Sequence, residues 1–165
     1  MRRLVVSAIA AVLLAAPASP VAGQVVFGAG VGPTFSLEDG GGTDFHVMGT
    51  LRFSREEDNP VGFRVDGMLQ FTEGNDLFIG TANAMYNFST ASDARIRPYV
   101  IGGAGIYANG GTDLGINAGA GATFPLGGDS PARLFGEARF HAIFAEGNTI
   151  SQLPITVGIM FRAGR

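Results

Sequence analysis

Residues 61–71 read VGFRVDGMLQF and carry the clearest structural pattern in the chain. Five of the six odd-numbered positions hold a large apolar residue, whereas arginine, aspartate and glutamine occupy even-numbered positions. Successive side chains on a β-strand point to opposite faces of the sheet. The stretch is therefore predicted to be a strand with one apolar face and one polar face.

The same alternation recurs along the chain, interrupted by short clusters of Gly, Asp, Asn, Ser and Pro that are typical of tight connections. The predicted strands are residues 25–37, 45–55, 61–71, 77–88, 96–108, 114–126, 133–144 and 153–162. Both faces of the fifth strand are apolar, so the pattern leaves its orientation open. Eight strands occupy nearly all of residues 24–165, which predicts one all-β domain.

Residues 1–23 have the three regions of a secretory signal peptide. Arg2 and Arg3 precede an apolar run at 4–16, and the segment ends in small residues after two prolines. A helix of this run would rise only about 20 Å, less than the roughly 30 Å hydrocarbon core of a bilayer. We therefore expect export and cleavage before Gln24, with residues 24–165 forming the mature barrel domain.

The composition excludes several classes of protein. The chain has no Cys, which excludes disulfides, thiolate zinc sites and thiol nucleophiles. Its formal net charge of −3 gives no electrostatic reason to expect a nucleic-acid partner. Only 15% of its residues are charged, compared with about 25% in a typical soluble domain. We therefore expect part of the surface to face something other than water.

The size of the apolar residues indicates which face points outward. In the predicted register, all of the 13 Phe except Phe135 lie on the apolar face. The interior of an eight-stranded barrel is only just wide enough for side chains to fill it, and the glycine-rich opposite face suits that interior. The prediction is an eight-stranded antiparallel up-and-down transmembrane β-barrel. The alternative is a soluble sandwich in which the aromatic residues pack in pairs.

Paired aromatic residues recur at a spacing of eight. Eight strand residues span about 26 Å, or roughly 20 Å of height at a tilt near 40°, which is close to the apolar band of outer-membrane barrels. The spacing predicts two lipid-facing aromatic girdles, formed by Phe27, Phe35, Phe45, Phe53, Phe63, Phe71, Phe78, Tyr86, Tyr99 and Tyr107. Phe161, on the apolar face of the last strand, is also assigned to a girdle.

Charged residues also occur on the predicted inward face. The candidate polar network of the lumen consists of Arg52, Arg64, Asp66, Glu137, Arg139 and His141. Buried charges must be paired or hydrated, so these residues are expected to fill the lumen and fix the strand register. The alternative is a narrow or gated ion path lined by them. Neither histidine has a serine beside it on its own face, so we predict no catalytic residues. We also predict no cofactor and no metal site.

The predicted connections at one end of the barrel carry acids and no arginine. These acids are Glu38, Asp39, Asp44, Glu73, Asp76, Asp113 and Glu146. Two interpretations remain open: the acids keep the loops soluble, or divalent cations bridge them to anionic lipid headgroups. The loops are short, which argues against a large receptor surface.

Two segments carry a resemblance to a known family: RPYVIGGAG at residues 97–105, and VGIMF at residues 157–161 in the last strand. The chain resembles small outer-membrane β-barrel proteins related to the OmpA membrane domain, to OmpX and to opacity-type proteins. The resemblance implies an outer-membrane location in a diderm bacterium, with outer-membrane lipid and the barrel assembly machinery as partners. It also implies a non-catalytic structural or surface-interaction role. A narrow porin-like channel and a soluble exported barrel that binds an apolar ligand are the alternatives.

Overall fold

The computed structural model describes residues 24–54, 60–88, 95–127 and 130–163. They form eight β-strands: β1 (Gln24–Ser36), β2 (Thr43–Ser54), β3 (Val61–Phe71), β4 (Leu77–Asn87), β5 (Arg97–Ala108), β6 (Thr112–Pro125), β7 (Ala132–Ala145) and β8 (Asn148–Ala163). None of these residues belongs to a helix long and apolar enough to cross a membrane. The predicted signal peptide, residues 1–23, lies outside the described residues.

The eight strands form one closed barrel. Each strand pairs antiparallel with the next, and β8 pairs antiparallel with β1, so no strand edge is left open. The predicted fold class is confirmed. Because the strand number is even, β1 begins and β8 ends at the same end of the barrel, here called the terminal end. The opposite end, here called the distal end, carries the β1–β2, β3–β4, β5–β6 and β7–β8 connections.

The strand pairing fixes the tilt of the barrel. One row of directly paired, outward-facing residues runs Phe124, Leu134, Ile159, Ala29, Gly49, Gly67, Gly80, Ile106 and Leu114. The row starts and ends on β6, and its two ends are ten residues apart along that strand. The barrel therefore has a shear of ten residues, which corresponds to strands tilted by about 40°.

The predicted strand bounds agree with the structure to within about two residues, except at β8. The sequence pattern placed a connection at residues 145–152, but β8 begins at Asn148 and only Glu146 and Gly147 link it to β7. Gly147 has a φ of 78°, which a glycine adopts without steric penalty. The prediction was wrong because the outward residues at the start of β8, Thr149 and Ser151, are polar. The alternation of apolar and polar residues is therefore absent there.

The barrel is apolar outside and largely polar inside. Of the 13 Phe, Phe135 alone is buried within the described residues, with 2% of its surface exposed. Neighbouring strands pair aromatic residues on the exterior: the ring centroids of Phe27 and Phe161 are 5.6 Å apart, and those of Phe45 and Phe71 are 6.4 Å apart. Nine of the eleven predicted girdle residues lie on this exterior surface, namely Phe27, Phe35, Phe45, Phe53, Phe63, Phe71, Phe78, Tyr86 and Phe161.

Tyr99 and Tyr107 do not belong to the girdle. Each has only 1% of its surface exposed, and both point into the lumen from β5, whose outward face consists of small or aliphatic residues such as Val100. Their prediction as lipid-facing residues was wrong. The eight-residue spacing holds equally well for either face of a strand that is apolar on both sides. Inside the barrel, each hydroxyl group has a hydrogen-bond partner, which lipid would not provide.

Glycines on β6 make room for these two tyrosine rings. A Cβ atom at Gly121 would lie 2.6 Å from Cζ of Tyr99, and one at Gly115 would lie 2.6 Å from Cε2 of Tyr107. Real Cβ atoms essentially never come this close to another atom, so a side chain at either position would force its neighbours to shift. The inward glycines of β6 therefore match the inward tyrosines of β5, and the two strands together fill this side of the lumen.

Candidate functional site

Strands β3 and β7 each carry an arginine and a carboxylate two residues apart, so that both side chains point into the lumen. Arg64 and Asp66 lie on β3, and Glu137 and Arg139 lie on β7. In a closed barrel of eight strands numbered in order, β3 and β7 stand on opposite walls. The four side chains are buried, and they meet in the middle of the lumen.

These four residues form a closed ring of ion pairs, here called the charge cluster. Across the lumen, Nη2 of Arg64 lies 2.6 Å from Oε1 of Glu137, and Nη1 of Arg139 lies 2.9 Å from Oδ2 of Asp66. Within each strand, Nε of Arg64 lies 3.0 Å from Oδ1 of Asp66, and Nε of Arg139 lies 2.7 Å from Oε1 of Glu137. Each charge therefore contacts both opposite charges.

Neutral side chains complete the coordination of the charge cluster. The hydroxyl of Tyr99 donates to Oε2 of Glu137 at 2.8 Å, and Nδ2 of Asn83 donates to Oδ2 of Asp66 at 3.0 Å. Nη2 of Arg139 donates to Sδ of Met48 at 3.1 Å. Buried ion pairs persist when additional hydrogen bonds compensate the loss of water, and here every member of the cluster except Arg64 has such a bond.

The charge cluster crosses the lumen of the barrel. Its two positive and two negative charges cancel, and the contacts between β3 and β7 span the lumen from wall to wall. An ion that moved along the axis would have to break these pairs and would leave charges unpaired at low dielectric constant. The arrangement can hold the barrel together and resist ion flow.

The structure keeps the other two residues of the predicted network apart from the charge cluster. His141 shares a hydrogen bond with the hydroxyl of Tyr107, with Nδ1 and Oη 2.8 Å apart. Arg52 is half-buried towards the terminal end, and its Nε has no hydrogen-bond partner among the described residues. The sequence placed all six residues on the inward face, but it could not show which of them make contact.

A separate buried hydrogen-bond group ties three strands together near the distal end. His46 on β2 is fully buried, and its two ring nitrogens lie 2.9 Å from the hydroxyls of Thr34 on β1 and Thr156 on β8. The alternation of β2 placed His46 inward, but nothing in the sequence indicated these partners.

The lumen also contains an apolar cluster that the predicted polar network did not include. Its buried members are Met48, Met68, Ile79, Tyr107, Phe135, Ile143 and Met160. Phe135 packs directly over Gly158, where a Cβ would lie 2.5 Å from its ring and would force a shift. The inward position of the methionines could have been predicted, since four of the five lie on the polar face of their predicted strands.

Within the described residues, the connections at the distal end carry acids and the terminal end carries arginines. The seven acids predicted for one end lie at or near the distal end, and two of them have local structural roles. Oδ2 of Asp44 accepts a hydrogen bond from Gln70, and Oε1 of Glu38 accepts one from the backbone of Ser151. The described part of the chain contains no group of three or more potential metal ligands. At the terminal end lie Arg95, Arg97, Arg133 and Arg162, while Arg55 and Arg165 fall outside the described residues.

The chain shares its fold with known outer-membrane barrels. Neisserial surface protein A superimposes with a TM-score of 0.63 at 17% identity, over 85% of this chain and 96% of that one. The N-terminal barrel domain of Pseudomonas aeruginosa OprF gives 0.56 at 16% identity, over 84% and 99%. The attachment invasion locus protein Ail of Yersinia pestis gives 0.55 at 15% identity, over 85% and 98%.

No protein-family model and no curated protein matches the chain. The fold and the inverted distribution of polar and apolar side chains define the class: a small eight-stranded barrel of the outer-membrane type. At sequence identities this low, the likeness to solved structures establishes the fold and nothing further about activity.

Proposed function

We propose that this protein is an integral outer-membrane β-barrel of a diderm bacterium, with a structural or surface-interaction role and no catalysis. Its lumen is closed to ions by the charge cluster. Residues 1–23 direct export, the terminal end faces the periplasm, and the distal end with its acidic connections faces outward. This orientation follows the rule that outer-membrane barrels keep both chain termini in the periplasm.

The distribution of burial supports this proposal most strongly. Large apolar side chains that in a soluble protein would form the core are exposed on every strand, including Phe63 at 64% and Val157 at 59%. The buried set includes two arginines, two carboxylates and two histidines. Water is a poor solvent for this exterior, whereas the hydrocarbon of a bilayer is a good one. Closure of the barrel also pairs the backbone N–H and C=O groups of the strands, as a bilayer requires.

Two kinds of partner follow from the proposal. Outer-membrane lipid would contact the apolar exterior and its aromatic girdles. The barrel assembly machinery would recognise β8, whose outward residues alternate up to Phe161. No feature of the described surface favours a nucleic acid.

The alternatives have less support. A narrow porin-like channel would require ions to pass the charge cluster, in which every charge is paired. A soluble barrel that binds an apolar ligand would line its cavity with the phenylalanines, but twelve of them lie outside. Neither alternative explains an apolar exterior together with a charged interior.

The proposal can be tested by expressing the whole chain in a diderm host and separating inner from outer membranes. The protein should sediment with the outer membrane, resist extraction by alkali and migrate on a gel at different positions before and after boiling. Intact mass spectrometry of the purified protein should give the mass of residues 24–165, with or without cyclisation of the N-terminal glutamine. Recovery of the unboiled protein in the soluble periplasmic fraction would refute the proposal.

Planar-bilayer recording then distinguishes the closed lumen from the channel. We expect no ion conductance from the folded wild-type protein. The matched comparison is Glu137→Gln, which removes one charge from the cluster and keeps the size of the side chain. A steady conductance in the wild type that Glu137→Gln leaves unchanged would favour the channel and would show that the charge cluster is not the barrier.

A further inference from the structure

Four arginines surround the opening of the lumen at the terminal end. They are Arg52 on β2, Arg97 on β5, Arg133 on β7 and Arg162 on β8, here called the arginine ring. Each is two residues from a buried side chain on its own strand, and successive side chains alternate, so all four point inward. Their guanidinium groups therefore approach the opening from four of the eight strands.

The strand register places three members of the arginine ring at one level. Because the shear is ten residues over eight strands, a row of paired positions climbs by about 1.25 residues from each strand to the next. On this basis Arg97, Arg133 and Arg162 lie within about one residue of the same height, and Arg52 lies about two residues deeper in the lumen.

The members of the arginine ring are close enough to interact with one another. The charges of Arg97 and Arg133 act on Arg52, and the charges of Arg97 and Arg162 act on Arg133. All of these charges have the same sign, so every one of these interactions is repulsive. An anion bound between the guanidinium groups would replace this repulsion by attraction.

Among the described residues, carboxylates occur only in the charge cluster and at or near the distal end. Within this part of the chain, neither Arg52 nor Arg97 forms an ion pair, and Nε of Arg52 has no hydrogen-bond partner. Arg133 donates from Nε and Nη2 to Thr123, which is neutral. The other acids of the mature chain, at positions 56, 57, 58, 93 and 129, lie outside the described residues.

Solvent reaches the arginine ring from the terminal end. Two of its members are exposed and the other two are half-buried. At the next level into the lumen, the side chains of Met85, Tyr99 and Phe135 are almost fully buried and close the space between the strands. The arginine ring therefore lines a shallow cup that opens to water and ends at a largely apolar floor.

The chemistry of the arginine ring favours an anion with more than one negative charge. A guanidinium group presents its N–H donors in a planar fork that matches two oxygens of a phosphate group. A phosphate ester offers oxygens to several arginines at once, whereas a single carboxylate has two oxygens and one charge. Because the guanidinium groups point into the lumen and not towards the lipid, the ligand would enter from the aqueous phase.

We propose that the arginine ring is a binding site for soluble compounds that carry phosphate groups, with Arg52, Arg97 and Arg133 as its main donors. In the orientation proposed above, the site faces the periplasm. That location rests on the proposed function, but the binding chemistry requires only a folded barrel. Binding is therefore measured on the folded protein in micelles, where its outcome is independent of the membrane fractionation that tests the proposed function.

The experiment is isothermal titration calorimetry of the whole mature chain in octyl glucoside micelles, with pyrophosphate as the probe at physiological ionic strength. The gel shift on boiling first verifies that each variant is folded. We expect saturable binding to the wild type. Arg52→Gln and Arg133→Gln should each weaken it by about tenfold or more, the usual effect of losing a charge-assisted hydrogen bond. If one of these variants fails to fold, the other still tests the site.

The matched control is Arg95→Gln, which removes the same charge from an exposed position before β5 at the same end of the barrel. It should bind pyrophosphate as the wild type does. A folded wild type without saturable binding would overturn the inference. So would a loss of affinity in Arg95→Gln equal to that in Arg52→Gln and Arg133→Gln, because only diffuse attraction would then remain.

A second titration distinguishes a soluble phosphate from a lipid headgroup. The probe is monomeric dihexanoyl phosphatidylglycerol, whose phosphate group is attached to short acyl chains. We expect it to bind more weakly than pyrophosphate, because the arginine ring points away from the lipid. Tighter binding of this lipid than of pyrophosphate would overturn the assignment to a soluble ligand.

Discussion

Arg64 and Glu137 meet across the lumen, with Nη2 of the arginine 2.6 Å from Oε1 of the glutamate, although 73 positions separate them in the chain. They stand on β3 and β7, which are opposite walls of the barrel. Both side chains are almost fully buried. The pair therefore acts as a brace between strands that share no backbone hydrogen bond.

Glu137→Ala should destabilise the barrel. It leaves the guanidinium groups of Arg64 and Arg139 with one carboxylate between them and removes the acceptor of the Tyr99 hydroxyl. Loss of one partner from a buried ion pair costs about 3–5 kcal/mol. The measurement is the free energy of unfolding from urea titrations of the protein in lipid vesicles. The control, Glu146→Ala, removes an exposed carboxylate and should change little; equal stability of both variants would contradict the bracing role.

Val157→Arg should also be destabilising, for a different reason. Val157 is 59% exposed near the middle of β8 and would contact the hydrocarbon of the bilayer. An arginine on the lipid face at mid-depth costs about 2–4 kcal/mol. The same urea titration measures it, with Thr112→Arg at the exposed distal rim as the control. A Val157→Arg barrel of wild-type stability in lipid would mean that this face does not contact hydrocarbon.

Gly121→Ala tests the inward position of Tyr99. The new Cβ would lie 2.6 Å from Cζ and Oη of Tyr99 and from the backbone oxygen of Gly136, so the ring and the neighbouring strand would both have to shift. Overpacking of this kind costs about 1–3 kcal/mol. Gly136→Ala is the matched control, since a Cβ there meets nothing within 4 Å. Similar stabilities for the two variants would indicate that the Tyr99 ring does not occupy this site.

Tyrosine fluorescence offers an independent test of the same assignment. The chain has three Tyr and no Trp, and Tyr86 alone among the three lies on the exterior. Spin-labelled lipid should therefore quench the emission of a protein that retains Tyr86 with Tyr99→Phe and Tyr107→Phe. It should have little effect on Tyr86→Phe. Strong quenching of Tyr86→Phe would place at least one of the two inner tyrosines on the lipid face.

Most of the fold could be predicted because a half-buried strand has a period of two in any sequence. In β3 the alternation is uninterrupted, and its predicted and observed bounds coincide. β8 shows the limit of that reasoning: its first residues pair with β7 through backbone atoms, and backbone pairing does not require a particular side chain. The local sequence pattern therefore missed the first part of β8, which is held in place by backbone pairing with β7.

The candidate site was predictable as a set of inward residues and not as a set of contacts. Alternation placed Arg64, Asp66, Glu137 and Arg139 on the polar face, but which acid meets which arginine depends on the register of all eight strands. Tyr99 and Tyr107 were assigned to the wrong face because β5 is apolar on both sides. Only the glycines of β6 and the hydroxyl partners across the lumen distinguish its two faces.

The sequence by itself determined the strand count, the all-β class and the outward position of twelve phenylalanines, because side-chain period and bulk are local properties of the chain. The tertiary structure decided the closure of β8 on β1, the shear of ten residues and the charge cluster. Each of these depends on residues far apart in the chain. Their distances are set only when the last strand pairs with the first and the register becomes fixed around the whole barrel.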